Sequence, residues 1–261
     1  MSEKEPFVAV IIPCHNHSDY ILGAIDSVAT QDYPRVMMSI VDDGSTDNSY
    51  DKIKSILNVT YEGLDEDTQC VVCTGNYKDR PVILHKNIEA KKQASARNTA
   101  IKRAWQMADL FMQLDADDLL LQYKISLSVE AWLENPKHIG LVYTDVIIHN
   151  TDDNTYVREF RPSYDRQLLE RENIISNAPL ISKYALCQCG LYDEELPPCE
   201  DWDLWLRITE HFFAIHVPLP LQQYTVTGLN CTFTVDSKVW AKQWQRVQQK
   251  LRERKHHNGN G

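Results

Sequence analysis

The segment Val8-Ala-Val-Ile-Ile-Pro-Cys-His-Asn16 combines an uninterrupted apolar run with a polar end. A continuous run of Val and Ile, without alternation, is typical of a strand that is covered on both faces. The sequence therefore predicts a first strand over 7–13, and similar short runs predict strands over 37–41, 82–85 and 110–114. Because longer amphipathic segments separate the runs, the pattern favours an α/β fold with a mostly parallel central sheet flanked by helices.

The segments between the apolar runs have helical periodicity and predict helices over 19–30, 47–57, 91–107 and 119–133. One stripe of the third helix can face the sheet, because its small and apolar residues recur at helical spacing. These residues are Ala94, Ile101, Trp105 and Ala108.

Two parts of the chain depart from this alternation. Between Val59 and Pro81, an acidic stretch and a Gly-Asn-Tyr-Lys-Asp turn predict a surface excursion, with a hairpin from Val71-Val72 to the next strand. After Pro136 the pattern is mixed rather than doubly wound. It predicts strands over 141–144, 146–149 and 156–160, and a final helix over 237–255.

The composition indicates an ordinary globular protein of 261 residues, with 43% hydrophobic residues and a formal net charge of −10. The acidic excess disfavours binding to nucleic acid, which needs clustered Lys and Arg. The amino terminus has no apolar segment suited to a signal peptide or a membrane span, so a cytoplasmic location is expected. The seven cysteines are therefore expected to be free thiols, and a zinc site from Cys70, Cys73, Cys187, Cys189 and Cys199 is the less favoured alternative.

Carboxylates follow several of the predicted strands. They occur in Asp42-Asp-Gly-Ser-Thr-Asp47, in Asp115-Ala-Asp-Asp118 and, further on, in Glu200-Asp-Trp-Asp203. Ligands of open α/β sheets bind beyond the carboxyl ends of the strands, so these acids can converge on one rim. Like charges so close together are costly without a cation. Oxygen ligands suit Mg²⁺ or Mn²⁺, and the sequence therefore predicts a divalent metal there.

The sequence resembles the family 2 inverting glycosyltransferases, which have the GT-A fold. Each motif alone is a turn or a helix cap that occurs often by chance, but here the motifs arrive in the family's order. The segments that carry the resemblance are 8–16, Val41-Asp-Asp-Gly-Ser-Thr-Asp47, Ala96-Arg-Asn98, Leu114-Asp-Ala-Asp-Asp118 and Glu200-Asp-Trp-Asp-Leu-Trp-Leu-Arg207.

The resemblance implies a donor site for a nucleoside diphosphate sugar, most readily a UDP-sugar. Asp115 would face the ribose, and Asp117 would bind the metal that bridges the diphosphate. Arg97 and Asn98 would help to shape the donor pocket. The residues expected to border the nucleobase, or to lie beside those that do, are Pro13, His15, Asn16, Asp42 and Asp43.

The resemblance also implies a reaction, the transfer of one sugar to a hydroxyl group of a glycan or other acceptor. Asp201 would be the general base that takes the proton of this hydroxyl, and direct displacement would invert the anomeric centre. Glu200 and Trp202, which flank Asp201, are assigned to substrate binding. Acceptor specificity is expected to lie between Val146 and Pro198.

The implied domain covers residues 1–233, with a nucleotide-binding half of about 1–120 and an acceptor half of about 121–233. Residues 234–261 are expected to form a basic amphipathic helix and tail. Three uses of this helix stay open: packing on the domain or on a second subunit of a homo-oligomer, peripheral contact with an anionic membrane surface, and a solvated polybasic tail. Its apolar stripe consists of Trp240, Trp244, Val247 and Leu251.

Two positions depart from the family pattern. Lys92 stands where the family usually has glycine, and Tyr224-Thr-Val-Thr227 stands where many members have Tyr-Arg-x-His. A catalytically impaired nucleotide-sugar-binding protein is therefore an alternative. A nucleotidyltransferase is a further one, although it would need a Gly-rich basic loop where this chain has Pro13-Cys-His-Asn-His17. The chain has no Gln-x-x-Arg-Trp segment of the processive synthases, which favours single addition.

Overall fold

A computed structural model describes residues 5–66, 68–228 and 230–258 of the chain. These residues form an 11-stranded sheet with helices packed on both faces. The strands are β1 (Val8–Cys14), β2 (Val36–Asp42), β3 (Asn58–Leu64), β4 (Val71–Tyr77), β5 (Arg80–Lys86), β6 (Leu110–Gln113), β7 (Leu119–Leu120), β8 (Ile139–Asn150), β9 (Thr155–Glu159), β10 (Leu180–Ser182) and β11 (Phe213–Val226). The helices are α1 (Ile21–Ala29), α2 (Ser49–Ile56), α3 (Gln93–Ala104), α4 (Lys124–Leu133), α5 (Arg166–Leu169), α6 (Lys183–Cys189), α7 (Glu200–Ile208), α8 (Cys231–Thr234) and α9 (Ser237–Asn258).

The centre of the sheet is parallel, in the order β5-β2-β1-β6. All residues of β1 and β2 are buried, which agrees with their unbroken apolar sequences. The predicted strands and the βαβ alternation of this half are thus confirmed. Because these strands run in the same direction, the polar segments that follow β1, β2 and β6 lie at one edge of the sheet.

The other half of the sheet is mixed, as the irregular pattern after Pro136 predicts. Strand β10 runs antiparallel to β6 and β8, and β8 pairs in parallel with β11. The two segments predicted at 141–144 and 146–149 are one continuous strand, β8, which forms a hairpin with β9. Hydrophobic side chains fill both sides of the sheet: α1, α2 and α4 contribute to one core, and α3, α6, α7 and α9 to the other.

Two predicted elements need correction. The helix predicted over 119–133 begins only at Lys124, because Leu119 and Leu120 form the short strand β7 and pair with Gln223 and Gln222 of β11. The excursion between Val59 and Pro81 contains the expected β4–β5 hairpin, but it also contains β3, which extends the sheet as an edge strand. A short apolar run fits a helix or a strand equally well, and the neighbouring strand edge decides between them.

The terminal helix α9 packs on the domain itself. Val247 and Leu251 of its apolar stripe are buried in the core that α7 shares, Trp240 packs against that core, and Trp244 stays exposed. Its basic residues form ion pairs with acids of the domain: Arg246 with Glu195, Lys250 with Asp193, Arg254 with Asp203 and Glu210, and Lys255 with Glu170. Helix α9 therefore packs on its own domain, which is one of the predicted uses. The apolar stripe that a membrane contact would need is largely covered by this packing.

Two smaller expectations can be compared with the fold. All seven cysteines have free thiols, although Cys187 and Cys231 are exposed rather than buried. Within the described ranges, no helix has the length and apolar character needed to cross a lipid bilayer.

Candidate active site

A cavity of about 670 Å³ opens at the edge of the sheet where β1, β2 and β6 end. Three carboxylates that are far apart in the sequence line it together: Asp43, Asp117 and Asp201. A concave site of this size with a few convergent polar groups is typical of a small-molecule binding site. The shared cleft that the sequence hypothesis requires is therefore present.

The nucleobase end predicted from the sequence is built from the segments after β1 and β2. Pro13 and His15 line the cavity beside Asp43. The imidazole Nδ1 of His15 lies 2.8 Å from the backbone oxygen of Asp43, and this contact holds the ring against the second segment. The Asp43 carboxylate accepts hydrogen bonds from Asn87 Nδ2 at 2.7 Å and from the backbone N–H of Lys91 at 2.9 Å. Its position is therefore fixed before any ligand binds.

Gly44 allows the Lys91 segment to approach Asp43 so closely. Its φ of +68° lies in the left-handed region that favours glycine. A Cβ atom at this position would lie 2.7 Å from the backbone nitrogen of Ala90 and 2.8 Å from the carbonyl carbon of Glu89. In the Asp-Asp-Gly motif, the glycine is thus required for steric reasons, in addition to the chemical role of the carboxylates.

Asn16 and Asp42, predicted among the donor-binding residues, do not line the cavity. The Asn16 side-chain oxygen accepts the backbone N–H groups of Thr46 at 2.8 Å and Asp47 at 3.3 Å. Asp42 is fully buried at the end of β2, where its Oδ1 accepts the N–H of Ser45 at 3.2 Å, and burial raises the pKa of its carboxyl. Both residues shape the turn that presents Asp43, because their side-chain oxygens accept hydrogen bonds from the backbone N–H groups of that turn.

Arg97 joins the middle of the site. It is almost completely buried in α3, and its guanidinium donates to Asp115 at 2.7 Å and to Glu200 at 2.8 Å. Gln93 Nε2 adds a second hydrogen bond to the same oxygen of Asp115 at 3.0 Å. All four residues line the cavity. A single cation thus holds together two acids from different parts of the chain.

Asn98 and Trp202, predicted at the site, point elsewhere. Asn98 donates to the backbone oxygen of Tyr192 at 2.9 Å and accepts its N–H at 3.0 Å, so it fastens the loop before α7. The indole N–H of Trp202 donates to the backbone oxygen of Leu169 at 2.7 Å, and the ring lies in the core. Neither residue lines the cavity. Successive residues of a helix face different directions, so Arg97, Glu200 and Asp201 reach the cavity while Asn98 and Trp202 do not.

Asp117 and Asp118 occupy the loop after β6. Burial, together with the charge of Asp115, raises the pKa of Asp117 to about 6. Burial and the charge of Asp117 raise the pKa of Asp118 as well. Asp118 lies behind the cavity wall, where it accepts the backbone N–H of Thr225 at 2.8 Å and a hydrogen bond from Asn177.

A divalent cation fits the carboxylates of this loop. Asp115 and Asp117 both face the cavity with oxygen donors, and burial together with the charge of Asp115 raises the pKa of Asp117, although Arg97 pairs with Asp115. A cation beside Asp117 would offset this rise. Oxygen donors suit Mg²⁺ or Mn²⁺. Among the described residues, no preformed group of three His, Cys, Asp or Glu ligands exists, so a bound ion would need further oxygens from substrate or water.

Asp201 lies in the first turn of α7, at the cavity wall. Burial and the neighbouring charge of Glu200 raise the pKa of Asp201 to about 7, while the Arg97 charge opposes the rise. Its oxygens accept hydrogen bonds from Asn173 Nδ2 at 3.2 Å and from the N–H of Trp202 at 2.6 Å. A carboxylate with a pKa close to neutral, at a cavity wall, is suited to take a proton from a hydroxyl group.

Lys92 lines the cavity immediately before α3, at the position where the resemblance expects glycine. Its φ of +75° explains that expectation, because L-residues with a side chain rarely adopt the left-handed region. Lys92 therefore keeps a strained backbone and places a cation at the donor side of the site.

Several cavity residues lie outside the set of site residues that the sequence predicts. His17 follows the first motif by one residue, but no pattern distinguishes it from a loop histidine. The others come from the segment before β10, from β11 and from the segment between β11 and the first turn of α9. They are Asn177, Tyr224, Asn230, Thr232, Val239 and Trp240.

Comparison with known proteins agrees with this arrangement. The family model described as glycosyl transferase family 2 matches residues 9–194. An uncharacterised glycosyltransferase of Rickettsia bellii is 26% identical over 243 residues, which are 90% of this chain and 31% of that protein. The chain spans less than a third of the length of the first relatives that it matches.

Two solved structures share the fold. Staphylococcus aureus TarS 1–349, in complex with UDP-GlcNAc, has a TM-score of 0.64 at 16% identity, covering 88% of this chain and 61% of that one. The mannosyltransferase PcManGT of Pyrobaculum calidifontis, in complex with GDP-Man and Mn²⁺, has a TM-score of 0.62 at 20% identity, covering 87% and 59%. The fold is the GT-A fold that the motifs imply.

Proposed function

The chain belongs to glycosyl transferase family 2, and on this basis we propose that it transfers one sugar from a nucleoside diphosphate sugar to an acceptor hydroxyl with inversion. The observation that carries the proposal is the common cavity of Asp43, Asp117 and Asp201. The domain that does this is residues 1–233, with the donor half at about 1–120 and the acceptor half at about 121–233. In the remaining segment, 234–261, helix α9 packs beside this domain, and residues 259–261 of the expected tail lie outside the described residues.

The donor half binds the nucleotide. Asp43 and the ring of His15 border the base, and Asp115, held by Arg97 and Gln93, faces the ribose. A UDP-sugar is the first choice, and UDP-GlcNAc and GDP-Man, the ligands of the two similar structures, are the natural first probes. Lys92 supplies a positive charge for the diphosphate.

Asp117, with Asp115 nearby, would hold a divalent ion, Mn²⁺ or Mg²⁺. Such an ion stabilises the negative charge that grows on a diphosphate leaving group. Asn230 and Asn177 surround the two inner acids of this loop and keep them in place through hydrogen bonds.

Asp201 takes the proton of the acceptor hydroxyl. Its raised pKa makes it a stronger base than an exposed carboxylate, and a positioned base contributes roughly 10²–10⁴-fold to the rate. The hydroxyl oxygen then attacks the anomeric carbon from the face opposite the diphosphate, which inverts the centre. Asn173, which donates to Asp201, orients the carboxylate for this step.

The most informative test is a thermal-shift series with UDP, UDP-GlcNAc and GDP-Man, each with and without Mn²⁺. A ligand that binds only the folded state raises its apparent stability. We expect a metal-dependent rise with a UDP compound, and we expect Asp201→Asn to keep that rise but to lose transfer and donor hydrolysis. The matched control is Asp153→Asn, at an exposed turn. Wild-type rates in Asp201→Asn would refute the assignment of the base.

The alternative of an impaired binding protein has one observation in its favour. Thr225, which stands where relatives with Tyr-Arg-x-His carry a cation, is buried, and its backbone N–H holds Asp118. A protein of this kind would bind the donor in calorimetry with UDP and Mn²⁺ but release no UDP with any acceptor or with water. Donor turnover by the wild type would exclude it. The nucleotidyltransferase alternative has no such support.

A further inference from the structure

The segment after β11 returns to the cavity at Asn230, which is 8% exposed and begins the short helix α8. Within the described part of the chain, the Asn230 amide is the one side-chain group that donates a hydrogen bond to Asp117. Its Nδ2 lies 3.1 Å from Asp117 Oδ2. The two residues are 113 positions apart, so no local pattern relates them.

The orientation of the amide is determined by its surroundings. Nδ2 also donates to the backbone oxygen of Thr225 at 2.8 Å, and Oδ1 accepts the backbone N–H of Thr227 at 2.9 Å. Turning the amide over would place its oxygen against two acceptors and its nitrogen against an N–H donor. Only the observed orientation satisfies all these groups.

Asn230 stands at the N-cap of α8, a position whose usual side-chain hydrogen bond is known. Asn at an N-cap normally accepts a backbone N–H of the first turn, which stabilises the helix by about 1 kcal/mol. Asn230 is the N-cap of α8, yet its side chain makes no such bond. Its hydrogen bonds go instead to the end of β11, at Thr225 and Thr227, and to Asp117.

We propose that Asn230 is a positioning residue of the metal site, which fixes Asp117 so that one carboxylate oxygen is held and the other is left for the divalent ion. The inference rests on the proposed function, since it needs a metal-binding Asp117. Carboxylate ligands are themselves hydrogen-bonded, and loss of such a partner typically weakens metal affinity 10–100-fold. Asn230 thereby supports the site in a chain that has Thr227 where relatives have a histidine.

The same bond connects the metal site with a further part of the cavity lining. Cys231, Thr232 and Val235, which come soon after Asn230, line the cavity, as does Trp240 at the start of α9. This lining segment is therefore tied to the metal-binding carboxylate. Loss of the Asn230 amide should loosen both Asp117 and this segment.

The test measures Mn²⁺ affinity in the presence of saturating UDP, by the electron paramagnetic resonance signal of free Mn²⁺. We expect Asn230→Ala to bind Mn²⁺ 10–100-fold more weakly than the wild type. Asn48→Ala is the matched control, because Asn48 is an N-cap that likewise makes no capping bond but is exposed and does not line the cavity. It should bind Mn²⁺ like the wild type.

The isosteric variant Asn230→Asp keeps the test decisive if Asn230→Ala folds poorly. A carboxylate cannot donate to Asp117 and repels it, so the melting temperature in EDTA should fall below that of the wild type. Mn²⁺ with UDP should then raise it by more than in the wild type, because a cation relieves the repulsion. Unchanged Mn²⁺ affinity in Asn230→Ala, or an equal or smaller Mn²⁺ response in Asn230→Asp, overturns the role of Asn230. A wild type that binds no Mn²⁺ with UDP overturns the proposed metal site as well.

Discussion

Arg97 Nη1 donates to Glu200 Oε1 at 2.8 Å inside the protein, across 103 positions of sequence. Both side chains are nearly inaccessible to solvent, and the same guanidinium also pairs with Asp115. This contact joins α3 to the start of α7 and so brings Asp201 to the cavity that the strand ends form. The second Glu200 oxygen, Oε2, is buried without a hydrogen-bond partner in the described part of the protein, so Arg97 is the main compensation for its charge.

Replacement of Arg97 should therefore change both stability and pH dependence. Arg97→Gln leaves two acids without their cation, and breaking a buried ion pair costs about 3–5 kcal/mol. The Arg97 charge lowers the pKa of Asp201, so its loss should move the acidic limb of kcat/KM for the transfer reaction to higher pH. Urea unfolding and a pH–rate profile measure the two effects.

Arg97→Lys is the matched control, since it retains the charge but lacks the planar guanidinium whose two terminal nitrogens each reach one acid. The acidic limb of Arg97→Lys should lie at the same pH as that of the wild type, whereas its free energy of unfolding should be lower than that of the wild type. An acidic limb that is the same in Arg97→Gln and the wild type would show that Arg97 does not act on the base.

The raised pKa of Asp201 predicts a pH-dependent penalty on folding. Its carboxyl has a pKa of about 7 in the folded chain and 3.8 as its ordinary value. Between these values the folded state binds more protons than the unfolded state, so stability falls as pH rises from about 4 to 7. Asp201→Asn carries no such charge and should be more stable than the wild type by about 1–3 kcal/mol above pH 7, with the difference vanishing near pH 4. Urea unfolding at several pH values measures this. A difference that is independent of pH would contradict the assigned pKa.

Lys92 has a strained backbone and a positive charge at the cavity. Two substitutions can separate the effects of these properties. Lys92→Gly should stabilise the free protein by about 0.5–1 kcal/mol, because glycine adopts the +75° φ without a Cβ penalty. The same variant should bind the diphosphate donor several-fold more weakly, because it lacks the cation. Lys92→Ala should lose the affinity without gaining the stability. Thermal melting and donor titration distinguish the two variants, and equal stability of both would argue against strain at this position.

Lys124 is a fully buried amine outside the cavity lining. Its Nζ donates to Thr144 Oγ1 at 2.8 Å and Gln222 Oε1 at 3.1 Å, and burial lowers its pKa to about 7. Between pH 7 and about 10 the unfolded chain binds more protons than the folded one, so this group makes stability fall as pH falls toward 7. Lys124→Met should therefore gain stability relative to the wild type as pH falls from 10 to 7, and the gain should level off below 7.

Unfolding of both proteins between pH 6 and 10 tests the Lys124 prediction. Lys137→Met, at an exposed site, should show no such pH dependence. A constant stability difference across that range would mean that Lys124 is already charged in the fold.

Much of the donor side follows from local patterns. The apolar runs of β1, β2 and β6 predict buried parallel strands, and the residues after them reach one edge because parallel strands share their direction. The hairpin before β5 is predicted from its Gly-Asn-Tyr-Lys-Asp turn, and in the structure Lys78 and Asp79 both have positive φ, as a type I′ turn requires. Local patterns do not predict which way a side chain points. Asn98, for example, directly follows Arg97 but faces the Tyr192 loop.

The amino-acid pattern was enough to predict the α/β class, the polar residues at the ends of the parallel strands, the family and the candidate acids Asp117 and Asp201. The folded chain was needed to show that Asn16, Asp42, Asn98 and Trp202 serve the framework, and that Asn230 and Trp240 belong to the cavity. The two kinds of information differ in the sequence distance over which they act. Periodicity and turn chemistry act over a few residues, whereas the partners that orient a buried polar side chain lie about a hundred residues away and meet it only when the core is packed.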